Sequence, residues 1–167
     1  MYAELHCHSN YSFQEGASSV EDLLVRAKEL GHQALAITDH DNLCGVMHFA
    51  QVARSVGVQA ITGAEVTFKD GSHLTFLAET RQGYRNLCNL LSYSHIASDR
   101  RNPRLDPRYL PELAEGLILA TLFLEPSTRA GRRFARPTTG AHVVVSRRVW
   151  CKCGCGDTKP ALRKLQT

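Results

Sequence analysis

Ala34-Leu35-Ala36-Ile37-Thr38-Asp39-His40-Asp41 sets the architecture expected of this 167-residue chain. Its apolar run is too short for a helix and has the composition of a fully buried strand, ending on Asp39-His40. On its amino-terminal side Val20, Leu23, Leu24, Ala27 and Leu30 recur at helical spacing. Ser18-Ser19-Val20-Glu21 reads as a capping box opening that helix, and Gly31 closes it. On the other side Val46, Phe49, Ala50, Ala53 and Val56 repeat the spacing, and Gly57 ends it. A buried strand between two amphipathic helices is the repeating piece of a βαβ unit.

The pattern extends outward in both directions. Tyr2 to Cys7 reads as a first strand and Val58 to Ile61 as a third, with Gly63 and Glu65 just beyond it. Asp70-Gly71 is a turn signal before a fourth strand from His73 to Ala78. A third helix places Tyr84, Leu87, Cys88 and Leu91 on one face, and Leu117 to Ala120 reads as one more strand. The fold class is therefore α/β, with a mainly parallel sheet or barrel whose ligands collect at the carboxyl ends of the strands.

After Thr121 the alternation stops. Residues 126–167 hold ten Lys or Arg and one acid, Asp157, a balance of +9; residues 1–125 hold ten basic and fifteen acidic residues, a balance of −5. The net charge of +4 is thus no argument for nucleic-acid binding by the folded part. We expect residues 1–121 to form the domain and residues 122–167 a basic, disordered or poorly packed tail, able at most to bind anions without specificity. Val143-Val144-Val145 is its one strand-like piece. Cys151, Cys153 and Cys155 lack the spacing and the fourth ligand of a zinc knuckle. No run of about eighteen apolar residues and no secretory leader are present, which points to the cytoplasm and to reduced thiols among the six Cys.

Chemistry-bearing residues gather where the strands end. His6 and His8 alternate along the first strand and so share a face. Alone, such a pair has an equally good reading as two solvated histidines. Glu15 follows in the next loop, His40 ends the second strand, Glu65 the third, and His73 opens the fourth. Mixed imidazole and carboxylate donors suit Zn²⁺, Mn²⁺ or Fe²⁺, and such ions activate water and grip the oxygens of a phosphate ester. His32, His48 and His95 read as solvated or structural, and Cys7, Cys44 and Cys88 as small packing hydrophobes.

His6-Cys7-His8, Thr38-Asp39-His40-Asp41, Gly63-Ala64-Glu65 and the segment from His73 to Ala78 resemble the opening motifs of the PHP (polymerase and histidinol phosphatase) family. The string from Ala3 to Ser18 and the later run from Gly83 to Ser92 resemble the amino-terminal PHP domain of bacterial DNA polymerase III alpha subunits, especially their error-prone branch. The resemblance implies the beginning of a distorted (β/α)7 barrel and a site for two or three divalent ions. Its ligands here would be His6, His8, Glu15, His40, Glu65 and His73, with Asp39 orienting a ligand from behind. Glu15 departs from the Asp commoner in the family. The implied partners are DNA and other replication or repair proteins.

The family would also supply a Gly-Cys step after Thr121 and an Asp-x-His pair far downstream. This chain reads Leu122-Phe123-Leu124-Glu125-Pro126 and has no later Asp-x-His. The break coincides with the charge switch, as a shifted reading frame would produce. Fewer ions and little hydrolysis are expected of a chain so altered. A free-standing phosphoesterase of the same fold and a non-catalytic remnant are the alternatives.

Overall fold

The computed structural model describes residues 2–99, 102–122 and 142–146. Strands β1 (Ala3–Glu4), β2 (Ala34–Ile37), β3 (Gln59–Thr67), β4 (His73–Ala78), β5 (Leu117–Leu122) and β6 (His142–Ser146) pair in chain order to form one sheet. Helices α1 (Val20–Glu29), α2 (Val46–Val56), α3 (Arg81–Ile96) and the single turn α4 (Leu110–Leu113) complete it. The α/β class and the βαβ start expected from the sequence are present: β1, β2 and β3 are parallel, with α1 and α2 as the crossovers.

The second half departs from the expected parallel order. β3 turns directly into β4 and pairs with it antiparallel, with Thr67 opposite His73, and β4 pairs antiparallel with β5. A link of only five residues cannot hold a crossover, so the chain must reverse as a hairpin. β3 is also longer than its apolar pattern, running through Gly63 and Glu65 to Thr67. Glu65 is thus inside a strand rather than beyond its end. β6, which contains Val143–Val145, pairs parallel with β5. The other expectations for residues 122–167, including the Cys151, Cys153 and Cys155 run, lie outside the described residues.

Side-chain alternation explains the layers. Leu35 and Ile37 of β2 face α1 and α2, where they join Val20, Leu24, Phe49 and Ala53 in one core. Ala36, between them, points to the opposite face with Leu77 and Ala120, beside the half-covered Leu5, Ile61 and Ile118. That inner face is open along a groove of about 550 Å³. A second core lies under α3, built from Ala64, Val66, Phe68, Phe76, Leu87, Leu90 and Leu105. β3 contributes to the packing on both sides of this division.

Local chemistry moved several boundaries. The α1 cap is Ser19, whose hydroxyl accepts from the Asp22 amide at 3.1 Å; Ser18 is buried and its carbonyl takes the Asn10 amide. β1 stops at Glu4 because the Glu4 carboxylate accepts the Leu5 and His6 amides at 3.0 and 3.1 Å, withdrawing them from the ladder. The buried face of α3 is Gly83, Asn86, Leu87, Leu90, Leu91 and Ser94, leaving Tyr84 39% exposed. Gly83 fixes that phase: a Cβ there would lie 1.8 Å from the Gly116 carbonyl oxygen, so only glycine lets the helix approach the start of β5. Cys44 is exposed rather than packed, while Cys7 lies against the first core as expected.

Candidate metal centre

All six side chains singled out from the sequence meet at one end of the sheet. Three overlapping groups have donor atoms within 4.8 Å of one another: His6, His8 and Glu65; His8, Glu15 and His40; His40, Glu65 and His73. The four imidazoles stand in a row, with ring centroids 4.8, 5.0 and 5.1 Å apart from His6 through His8 and His40 to His73.

Glu65 is the hub. Its Oε2 lies 2.5 Å from His6 Nε2 and 3.0 Å from His8 Nε2, while Oε1 lies 3.7 Å from His40 Nε2 and 3.8 Å from His73 Nδ1. One carboxylate oxygen thus serves each end of the row. Glu15 reaches His40 Nε2 at 2.9 Å and His8 Nδ1 at 3.9 Å, so its longer side chain does arrive at the cluster.

These positions follow from how each element ends. β1 gives out at Glu4, so His6 and His8 sit on an extended segment beyond the strand, not in it. That segment stays beside β2 through Thr38, whose amide donates to the Cys7 carbonyl and whose hydroxyl accepts the Cys7 amide. His40 and Glu65 form an isolated parallel bridge that continues the β2–β3 ladder. His73 opens β4, and because β4 runs antiparallel, its first residue lies beside the last residues of β3.

Asp39 is buried and has a definite task, though not at an imidazole. Its carboxylate accepts the Ser9 amide and Ser12 hydroxyl at 2.7 Å through one oxygen, and the Ser9 hydroxyl at 2.8 Å through the other. Ser12 Oγ in turn accepts the His40 amide at 3.1 Å. Asp39 therefore fixes the loop between His8 and Glu15 rather than orienting one ligand ring. Gly16 closes that loop where a Cβ would lie 1.8 Å from the Ser9 carbonyl oxygen.

Asp41 was not singled out, yet it is buried and adopts a left-handed φ of 49°. Its amide donates to the Glu65 carbonyl at 2.8 Å, and its carboxylate accepts the Thr67 amide at 2.8 Å and the Thr67 hydroxyl at 2.6 Å. His95 binds the Asp41 carbonyl at 2.8 Å and is structural, as expected. His48 pairs with Glu21 on the surface, and His32 packs edge-on against Tyr2. The sequence signal for Asp41 was its place after His40 in a motif already marked, but nothing in the spacing announces a left-handed carboxylate.

The electrostatics follow the geometry. Burial pushes Glu65 upward, but hydrogen bonds from His6 and His8 and the charges of His6 and His40 overcome it and hold the carboxyl well below its ordinary range. Asp41 raises His40 above its ordinary value against the opposing effect of burial, with Glu65 and Glu15 adding to the rise. At 3.9 Å from His40 Nδ1, the Asp41 carboxylate acts there through space. Four imidazoles and two carboxylates packed with donor atoms toward one another are what a divalent ion needs, since mixed nitrogen and oxygen sites bind at about 2.0–2.2 Å per ligand.

The family model for the PHP domain matches residues 4–139. Among curated relatives, the chain is 45% identical over 117 residues to an error-prone DNA polymerase of Pseudomonas aeruginosa, covering 70% of this chain and 11% of that protein. It is 38% identical over 168 residues to an error-prone DNA polymerase of Pseudomonas fluorescens, covering 98% of this chain and 16% of that protein. The chain therefore spans only a small part of the length of these relatives. Among solved structures, the lesion-specific endonuclease of Pyrococcus furiosus matches 72% of this chain and 34% of its own, with a TM-score of 0.49 and 18% identity. The family match includes every member of the cluster, and the chain belongs to the PHP domain family.

Proposed function

We propose that this chain is the PHP part of an error-prone DNA polymerase, acting in the cytoplasm on DNA with other replication or repair proteins, and that His6, His8, Glu15, His40, Glu65 and His73 hold divalent metal there. The observation that carries the ligand assignment is the position of Glu65, with one oxygen toward His6 and His8 and the other toward His40 and His73. A carboxylate so placed suits two ions side by side. Zn²⁺, Mn²⁺ and Fe²⁺ fit the donor set. The polymerase assignment rests on the named relatives. None of the helices among the described residues is long and apolar enough to cross a membrane.

Ions bound at such a site supply an activated water and charge for the oxygens of a phosphate ester. The chain's own residues do the holding: Glu65 and Glu15 bring negative charge, and the Asp39 network keeps the loop carrying Glu15 in place. Directly after Thr121 the sequence reads Leu122-Phe123-Leu124, in place of the Gly-Cys step that the resemblance implies there. With that donor replaced, the proposal is a site that holds fewer ions and hydrolyses DNA ends weakly.

Elemental analysis of the purified chain tests the ligand reading. Retained divalent metal that is lost on His6→Ala and His8→Ala supports it; equal metal in both variants overturns it. Robust Mn²⁺-dependent release of nucleotides from a 3′ end, abolished by His8→Ala, would show a stronger site than proposed.

A further inference from the structure

We infer that Asp41 is a positioning residue that fixes the proton-bearing nitrogen of one ligand imidazole, His73, through the Thr67 hydroxyl. The inference rests on the ligand reading above and extends it to a residue outside the ligand set.

A single hydroxyl proton decides the direction of both contacts. The Thr67 hydroxyl has one to give. Asp41 Oδ2 lies 2.6 Å away and, as a carboxylate, can only accept, so that proton points to Asp41. Thr67 Oγ1 also contacts His73 Nδ1 at a longer 3.3 Å. With its proton committed, the oxygen can only accept there, and Nδ1 must be the nitrogen carrying hydrogen. In the neutral ring this leaves Nε2, rather than the Nδ1 that lies 3.8 Å from Glu65 Oε1, with the free electron pair that an ion can take. The same carboxylate oxygen is 3.9 Å from His40 Nδ1, beyond hydrogen-bond reach, while Glu15 lies 2.9 Å from His40 Nε2, so the tautomer of that ring is not set by Asp41. Asp41 therefore favours hydrogen at Nδ1 in His73. Such outer carboxylates orient ligating histidines and raise their basicity.

The backbone is arranged to allow it. Asp41 holds a left-handed φ, uncommon for any residue but glycine and best tolerated by Asn and Asp. Its Oδ1 is committed to the Thr67 amide at 2.8 Å, which leaves Oδ2 for the hydroxyl.

Asp41→Asn makes the test sharp, because Asn tolerates the same φ. Its amide oxygen stays on the Thr67 amide, so its NH₂ donates to Thr67 Oγ1 and frees the hydroxyl proton to turn toward His73 Nδ1. Nitrogen-15 NMR of the metal-free chain at a pH where the rings are neutral reads the tautomer directly. The expected result is Nδ1–H at His73 in the natural chain and Nε2–H at His73 in Asp41→Asn. Thr67→Val should lose the His73 preference, while Thr67→Ser keeps it. Zn²⁺ affinity by competition should fall about 10–100-fold in Asp41→Asn, the usual effect of losing such a partner. An unchanged His73 tautomer in both Asp41→Asn and Thr67→Val would overturn the inference. The NMR result stands apart from the ligand reading, which fails separately if the natural chain binds no Zn²⁺.

Discussion

Four of the six clustered side chains come from the parallel half of the sheet and two from the antiparallel half, and they arrive by different routes. His6, His8, Glu15 and His40 lie beyond the ends of β1 and β2, with His40 still bridged to Glu65. Glu65 and His73 lie within β3 and β4, held in register opposite Thr75 and Thr67. The loop-borne set needs its own scaffolding, supplied by the buried Asp39 and its serine partners. The strand-borne set gets its placement from the hairpin. A site built this way joins a wall held by side-chain hydrogen bonds to one held by strand register, and β3 is the element common to both.

The largest test of this division is in the cores. Phe49 is fully buried in the parallel half and Phe68 almost so in the antiparallel half. Either one changed to alanine should cost about 3–5 kcal/mol. Because β3 runs through both halves, each variant should still unfold in one transition, measured by urea melts at two wavelengths. Two separate transitions in Phe49→Ala would mean that the halves are independent and the shared-strand picture is wrong.

A smaller effect is expected from pH. The folded value of His40 is raised above its ordinary 6.5, so its contribution to stability is complete below 6.5 and is lost as pH rises through the folded value. Glu65 is depressed, so its contribution is present above the ordinary 4.5 and disappears only in strong acid. The metal-free chain should therefore lose stability from pH 6.5 upward. Metal binding needs neutral imidazoles and should strengthen over the same range. Thermal melts with and without Mn²⁺ should have opposite slopes between pH 6.5 and 8; parallel slopes would separate His40 from the ion.

The sequence carried most of the parallel half, because there each strand end is marked by a break from apolar residues to His or Asp. It could place His73 in the cluster but not explain why the start of a strand joins the ends of others. The answer lies in strand direction, and apolar runs look alike in parallel and antiparallel sheets. The premature end of β1 was hidden for a different reason: Glu4 looks like any exposed acid until its carboxylate is seen to take two backbone amides. The α1 cap moved by one residue because Ser18 and Ser19 offer the same hydroxyl, and only the buried position of Ser18 separates them. Asp41 was missed because its conformation, not its type, gives it its task.

On the proposed ligand set, Glu65 links the two walls through a shared metal centre. Elemental analysis of Glu65→Gln beside Glu15→Gln, both with unchanged circular dichroism, tests it directly. Glu65 takes part in two of the three donor groups and Glu15 in one. Glu65→Gln should empty the chain of divalent metal while Glu15→Gln keeps part of it; full metal content in Glu65→Gln would rule out the shared centre.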